Sequence, residues 1–70
     1  MNKPFYDIEN VFTYHPPKPG QPEKYGKLRD KAKELAYLIA EECPGSAETT
    51  IALRKLEESI FYANASIARN

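Results

Sequence analysis

The chain has 70 residues, and ten Lys and Arg are balanced by ten Asp and Glu, giving a formal net charge of zero. That balance argues against a duplex-nucleic-acid binder, which carries a basic excess. One cysteine, Cys43, and one histidine, His15, exclude an internal disulfide framework and cannot by themselves complete a tetrahedral zinc site.

In chain order, residues 1–22 form a proline-rich N-terminal arm that holds all but one of the prolines together with Phe5, Tyr6, Phe12 and Tyr14. Phe5, Ile8 and Phe12 are spaced so that residues 5–12 can make a short helix, and Phe5, Ile8, Val11 and Phe12 are expected to cover part of the helical region beyond residue 22. Residues 23–70 read as a helical hairpin, and the whole chain as a single domain. The first long helix is expected from Glu23 to Glu42, entered through Pro22. Its apolar face reads Tyr25, Leu28, Ala32, Leu35, Ala36, Ile39 and Cys43, in steps of three and four. Cys43 is read as a small buried residue at the end of that face. Pro44 and Gly45 stop the helix. Ser46 is a good N-cap for a second helix and Glu48 suits its first turn. Its apolar face runs Leu53, Leu56, Ile60, Ala63 and Ile67, widened by Ala52 and Phe61, and the helix reaches Ala68 or Arg69. The short linker forces the helices antiparallel. The fold class is therefore all-α: an antiparallel two-helix hairpin with a Pro-rich arm or short helix before it.

A chain this short buries little apolar surface alone. Leu38, Ala40 and Ile51 add apolar positions beyond the seam, as do Tyr37 and Tyr62. A second face buried against other copies of the chain is the expectation, so the protein is read as a homo-oligomer. No apolar run approaches the roughly 20 residues that span a bilayer. Met1-Asn2-Lys3-Pro4 is not followed by an apolar signal core. A soluble cytoplasmic protein without membrane partners is expected.

The charges break a local rule. The first half of the first long helix carries Lys24, Lys27, Arg29, Lys31 and Lys33, and its last turn carries Glu41 and Glu42. Both placements oppose the helix dipole. Cross-hairpin pairing of Lys31 and Lys33 with Glu57 and Glu58 accounts for part of the pattern. It leaves Lys24, Lys27 and Arg29 near a helix start that already favours an anion. The hairpin's return brings Thr13-Tyr14-His15-Pro16-Pro17 and Asn64 through Asn70 to that same end. An aromatic ring, cations, amides and hydroxyls together suit a nucleotide. Plainer readings stand beside this one: Tyr14 as packing, His15 as a solvated loop residue, Arg69 as complement to a helix dipole. Asn64-Ala65-Ser66 is a chance match to a glycosylation acceptor.

Thr13-Tyr14-His15-Pro16-Pro17, Gln21-Pro22-Glu23, Tyr25, Leu28-Arg29, Cys43-Pro44, Leu56-Glu57-Glu58 and the terminal Ala63-Asn64-Ala65-Ser66-Ile67-Ala68-Arg69 resemble the hairpin domain of bacteriophage nucleotide sponges. These counter the bacterial CBASS and Thoeris defences, and the length of this chain is closer to the anti-CBASS members. The resemblance implies a protein that is not an enzyme. It would bind cyclic dinucleotides and trinucleotides in the host bacterial cytoplasm without cleaving them, as a homohexamer needing no cofactor and no metal. It further implies that Tyr14 stacks on a base of the cyclic dinucleotide, with Arg29 as the basic partner and Lys31 a secondary one. Arg69 would meet the phosphates of a cyclic trinucleotide, with Asn64 and Ser66 lining that region. Two readings compete: a small helical protein–protein adaptor with no small ligand, and a single-stranded nucleic-acid binder using the lysine stripe. An enzyme is the weakest reading, since no nucleophile, acid–base pair or metal set is present.

Overall fold

A computed structural model describes residues 7–70. Those residues are helical and contain no strand: α1 spans Ile8–Val11, α2 Gln21–Glu42 and α3 Ala47–Arg69. At about 1.5 Å per residue the two long helices are each roughly 33–35 Å rods. They lie antiparallel, with the start of α2 hydrogen-bonded to the end of α3. No helix among the described residues is long and apolar enough to cross a membrane.

The turn between the rods is fixed by local chemistry. The Cys43 N–H donates to the Ile39 carbonyl at 2.9 Å and ends α2. Ser46 sits in an extended conformation and its Oγ accepts from the Thr49 N–H at 3.2 Å, as an N-cap must. The Thr49 hydroxyl donates back to the Pro44 carbonyl at 2.6 Å, tying the cap to the proline that stopped α2. Glu48 and Arg69 then complement the two ends of the α3 dipole.

The entry to α2 differs from the sequence reading. The helix starts at Gln21, two residues before Glu23, and Pro22 sits one place inside the first helical position. Gly20 supplies the reason: its φ of +84° is a left-handed turn that aims the chain into the helix early. Pro22 is tolerated because the first N–H groups of a helix have no helical acceptor. The short helix before it is also narrower than residues 5–12. Asp7 caps α1, its side chain accepting from the Asn10 N–H at 3.3 Å, while Phe5 and Tyr6 lie outside the described residues.

The seam joins half-buried Leu28, Ala32, Ala36 and Ile39 of α2 to Leu53, Leu56, Ile60, Ala63 and Ile67 of α3. None of the hydrophobic residues described is fully buried. Two helices cover each other on one side only, so each apolar stripe keeps an open flank. The radius of gyration is 15.7 Å, against about 11 Å for a compact domain of this length. The accessible surface is 6029 Å² for 8.0 kDa, against about 4,450 Å² for a compact monomer of that mass.

Other expectations need correction. Cys43 is exposed, because α2 ends at Glu42 and Cys43, its C-cap, is already extended, so the helical spacing no longer aims it at the seam. Leu35 and Phe61 are exposed on the flanks of their helices. Ile8 and Phe12 are exposed as well, so among the described arm residues expected to cover the hairpin only Val11 is partly covered. Lys31 pairs with Glu34 at 3.3 Å and Lys55 with Glu58 at 3.8 Å, both within one helix. Pairing of Lys31 and Lys33 with Glu57 and Glu58 does not form. Partners three residues apart on a helix are already neighbours and need no help from across the seam. At exposed sites such pairs contribute only a few tenths of a kcal/mol.

Candidate functional site at the open end of the hairpin

The two free ends of the rods and the arm meet at the end opposite the turn. There the arm residues Val11, Thr13, Tyr14 and His15 form one wall of a hollow of about 460 Å³. Tyr25 of α2 lies in its lining, and Phe61, Asn64, Ala65, Ala68 and Arg69 of α3 form the other wall. The small side chains of Ala65 and Ala68, at i and i+3 on α3, keep the floor open. Tyr14 is 79% exposed, leaving its ring face free for a flat partner. Arg69 stands in the last turn of α3 without an ion-pair partner among the described residues.

Asn64 carries an unmet need. Its Oδ1 is buried and has no hydrogen-bond partner. A buried acceptor left this way costs about 1–3 kcal/mol until a donor reaches it. An arginine side chain, an exposed aromatic ring and an amide in one hollow are the residue types that suit an anionic, aromatic ligand.

The structure divides the sequence-derived residues differently from the two groups expected. Tyr14, Asn64 and Arg69 line one hollow within a single chain. Arg29 and Lys31 do not line it. Arg29 is exposed on α2 with its guanidinium lying back over Gly26, where an added Cβ would stand 3.7 Å from Nη2. Lys31 is engaged with Glu34. Ser66 is exposed, and its carbonyl accepts from the backbone and side-chain amides of Asn70 at 3.2 and 3.0 Å.

Two residues of this region escaped the sequence reading. His15 is half-buried, not solvated, and its Nε2 lies 2.7 Å from the Asn10 carbonyl oxygen, holding the arm against the end of α1. Phe61, expected to widen the seam, instead stands at the rim of the hollow. Its offset of eight residues from Leu53 turns it about 80° away from the seam direction, a signal present in the spacing. No such pattern announced His15, whose acceptor is a backbone carbonyl of the short α1 helix five residues earlier.

A second depression runs along the seam nearer the turn. It has about 390 Å³, a floor of Ala32, Ala36, Leu53, Leu56 and Ile60, and rims of Lys33, Arg54 and Glu57. Among the described residues no group of His, Cys, Asp and Glu is arranged to hold a metal ion.

No curated protein and no solved structure matches the chain. A family model described as Acb2/Tad1, hairpin domain, matches residues 6–68. That span takes in α1, α2, nearly all of α3 and every residue lining the hollow except Arg69, which is the next residue along. The chain therefore belongs to the Acb2/Tad1 hairpin-domain family, the anti-CBASS and anti-Thoeris sponges.

Proposed function

We propose that this protein sequesters cyclic oligonucleotide second messengers without cleaving them, and so denies a CBASS effector its activator inside the bacterial host. The observation that carries the reading is the meeting of Tyr14, Asn64 and Arg69 in one hollow, with an acceptor on Asn64 that lacks a donor. Tyr14 stacks on a base, Arg69 neutralises phosphate, and Asn64 lines the hollow with its side-chain amide. All three roles are recognition: none makes or breaks a bond.

Assembly completes the sites. The surface of a single chain exceeds the compact expectation by roughly 1,600 Å², about what one protomer contributes to two standard interfaces. The apolar groove of Ala32, Ala36, Leu53, Leu56 and Ile60 supplies a face for a second copy. In a hexamer, the Tyr14 wall of the hollow, joined by Arg29 and Lys31 of another copy, would meet a two-fold cyclic dinucleotide, and the Arg69 and Asn64 wall, gathered in triplets with Ser66, would meet a three-fold cyclic trinucleotide. Gathered arginines repel one another, and a bound trinucleotide relieves that repulsion.

Calorimetry of the purified protein against cyclic dinucleotides, cyclic trinucleotides and cyclic ADP-ribose isomers tests the reading. Binding with recovery of intact ligand after proteolysis supports it. Flat traces across the panel defeat it in favour of a protein–protein adaptor. A linear product overturns the non-enzyme assignment.

A further inference from the structure

Gln21 is the one buried residue among those described, at 9% exposure, in a protein whose apolar seam is nowhere fully covered. It does not line the hollow. A side-chain amide taken out of water is costly unless both of its ends are bonded, and here both are. Its Oε1 accepts from the Lys18 N–H at 2.9 Å, and its Nε2 donates to the Ile67 carbonyl at 3.0 Å. Its backbone N–H donates to the Lys18 carbonyl at 3.1 Å, closing the turn through Gly20. The Ile67 carbonyl belongs to the last turn of α3, where helical donors run out. Gln21 thus caps α3 from the neighbouring helix.

The positions of the two acceptor and donor partners give this clasp its meaning. Lys18 lies four residues after Tyr14, and Ile67 two before Arg69. A single amide therefore fixes the backbone beside both walls of the hollow. We propose that Gln21 is a positioning residue: it sets the separation of Tyr14 from Arg69, and its loss weakens ligand binding while leaving the α2–α3 hairpin formed. The ligand part rests on the function proposed above; the clasp itself rests on geometry alone.

Native-state hydrogen exchange on the wild-type chain reads the clasp with no ligand and no variant. The Lys18 amide is expected to exchange slowly, and exchange at the rate of free peptide overturns the proposal. Gln21→Glu keeps the acceptor for Lys18 but removes the donor to Ile67; Gln21→Ala removes both. Titrated by calorimetry with cyclic di-adenylate and cyclic tri-adenylate, each variant is expected to lose about tenfold or more in affinity for at least one of them, with helix content by circular dichroism unchanged. Unchanged affinity for both ligands overturns the positioning role. So does a parallel loss of helix content, which makes Gln21 an ordinary folding residue. A wild-type chain that protects Lys18 yet binds neither nucleotide sinks the proposed function and leaves the clasp standing. One that binds while Lys18 exchanges freely does the reverse.

Discussion

The two ends of the hairpin are built on opposite principles. At the turn the hydrogen bonds are local: the Cys43 N–H donates to the Ile39 carbonyl, and Ser46, Thr49, Thr50 and Pro44 bond one another, all within five residues. At the open end the decisive bond joins Gln21 to Ile67, 46 residues apart. Around it stand an acceptor without a donor, an arginine with no ion pair among the described residues and an exposed tyrosine. The turn end is closed by local bonds, whereas the open end keeps groups free for the ligand proposed above.

Substitutions at the open end should break that contrast most strongly. If the proposed three-fold site forms, Arg69→Ala removes charge-assisted bonds of about 1.5–3 kcal/mol each and is expected to abolish measurable trinucleotide binding by calorimetry. Tyr14→Ala loses about 1–3 kcal/mol of stacking per base, a fall of roughly ten- to a hundredfold in dinucleotide affinity. Neither change should lower the melting temperature of the free protein, since both side chains are short of partners within the chain. The open apolar flank gives a next, intermediate effect: the melting temperature should rise with protein concentration, with light scattering giving a mass above the 8.0 kDa of one chain.

At the closed end the sign of the experiment reverses. Ser46→Ala costs about 1 kcal/mol of stability, which lowers the melting temperature by about 4–8 °C in a domain of this size, and ligand affinity should stay as it was. The smallest effect expected is a gain. Gly26 lies within α2, and a Cβ there meets only the flexible tip of Arg29 at an ordinary 3.7 Å. Gly26→Ala should therefore stabilise the helix by about 0.5–1 kcal/mol, read by thermal melting.

Sequence legibility obeys the same division. Both ends of α3 could be read from Ser46, Glu48 and the last apolar step at Ile67, because caps and periodicity are local signals. Tyr14, Asn64 and Arg69 could be brought to one end because a short turn dictates where the chain returns. The start of α2 lies earlier than the sequence reading because left-handed Gly20 and the Gln21 N–H bond to the Lys18 carbonyl close a turn just ahead of it, a geometry that apolar periodicity does not encode. Spacing puts Cys43 on the seam, but spacing carries that information only while the chain is helical, and Cys43 is the extended residue just past the end of α2. The lysine pairing failed because side-chain reach within a helix outcompetes reach across the seam, and periodicity carries no information about that contest. The sharing of one hollow by Tyr14 and Arg69 depends on how the arm lies against α3, where the Gln21 amide links the Lys18 N–H to the Ile67 carbonyl, a contact between residues far apart in sequence.

The hairpin measures 14 Å in its thinnest direction, one layer of helices. A side chain shortened in the middle of so thin a body leaves a dent filled by water, not a void sealed among neighbours. The cost is then the transfer free energy of the missing carbons alone, about 0.8 kcal/mol for each fully covered methylene, without the surcharge for empty space that makes such changes severe in thicker folds. Leu56→Ala in an isolated chain is thus a mild lesion, and a harsh penalty from the same truncation is the mark of another surface having closed over it.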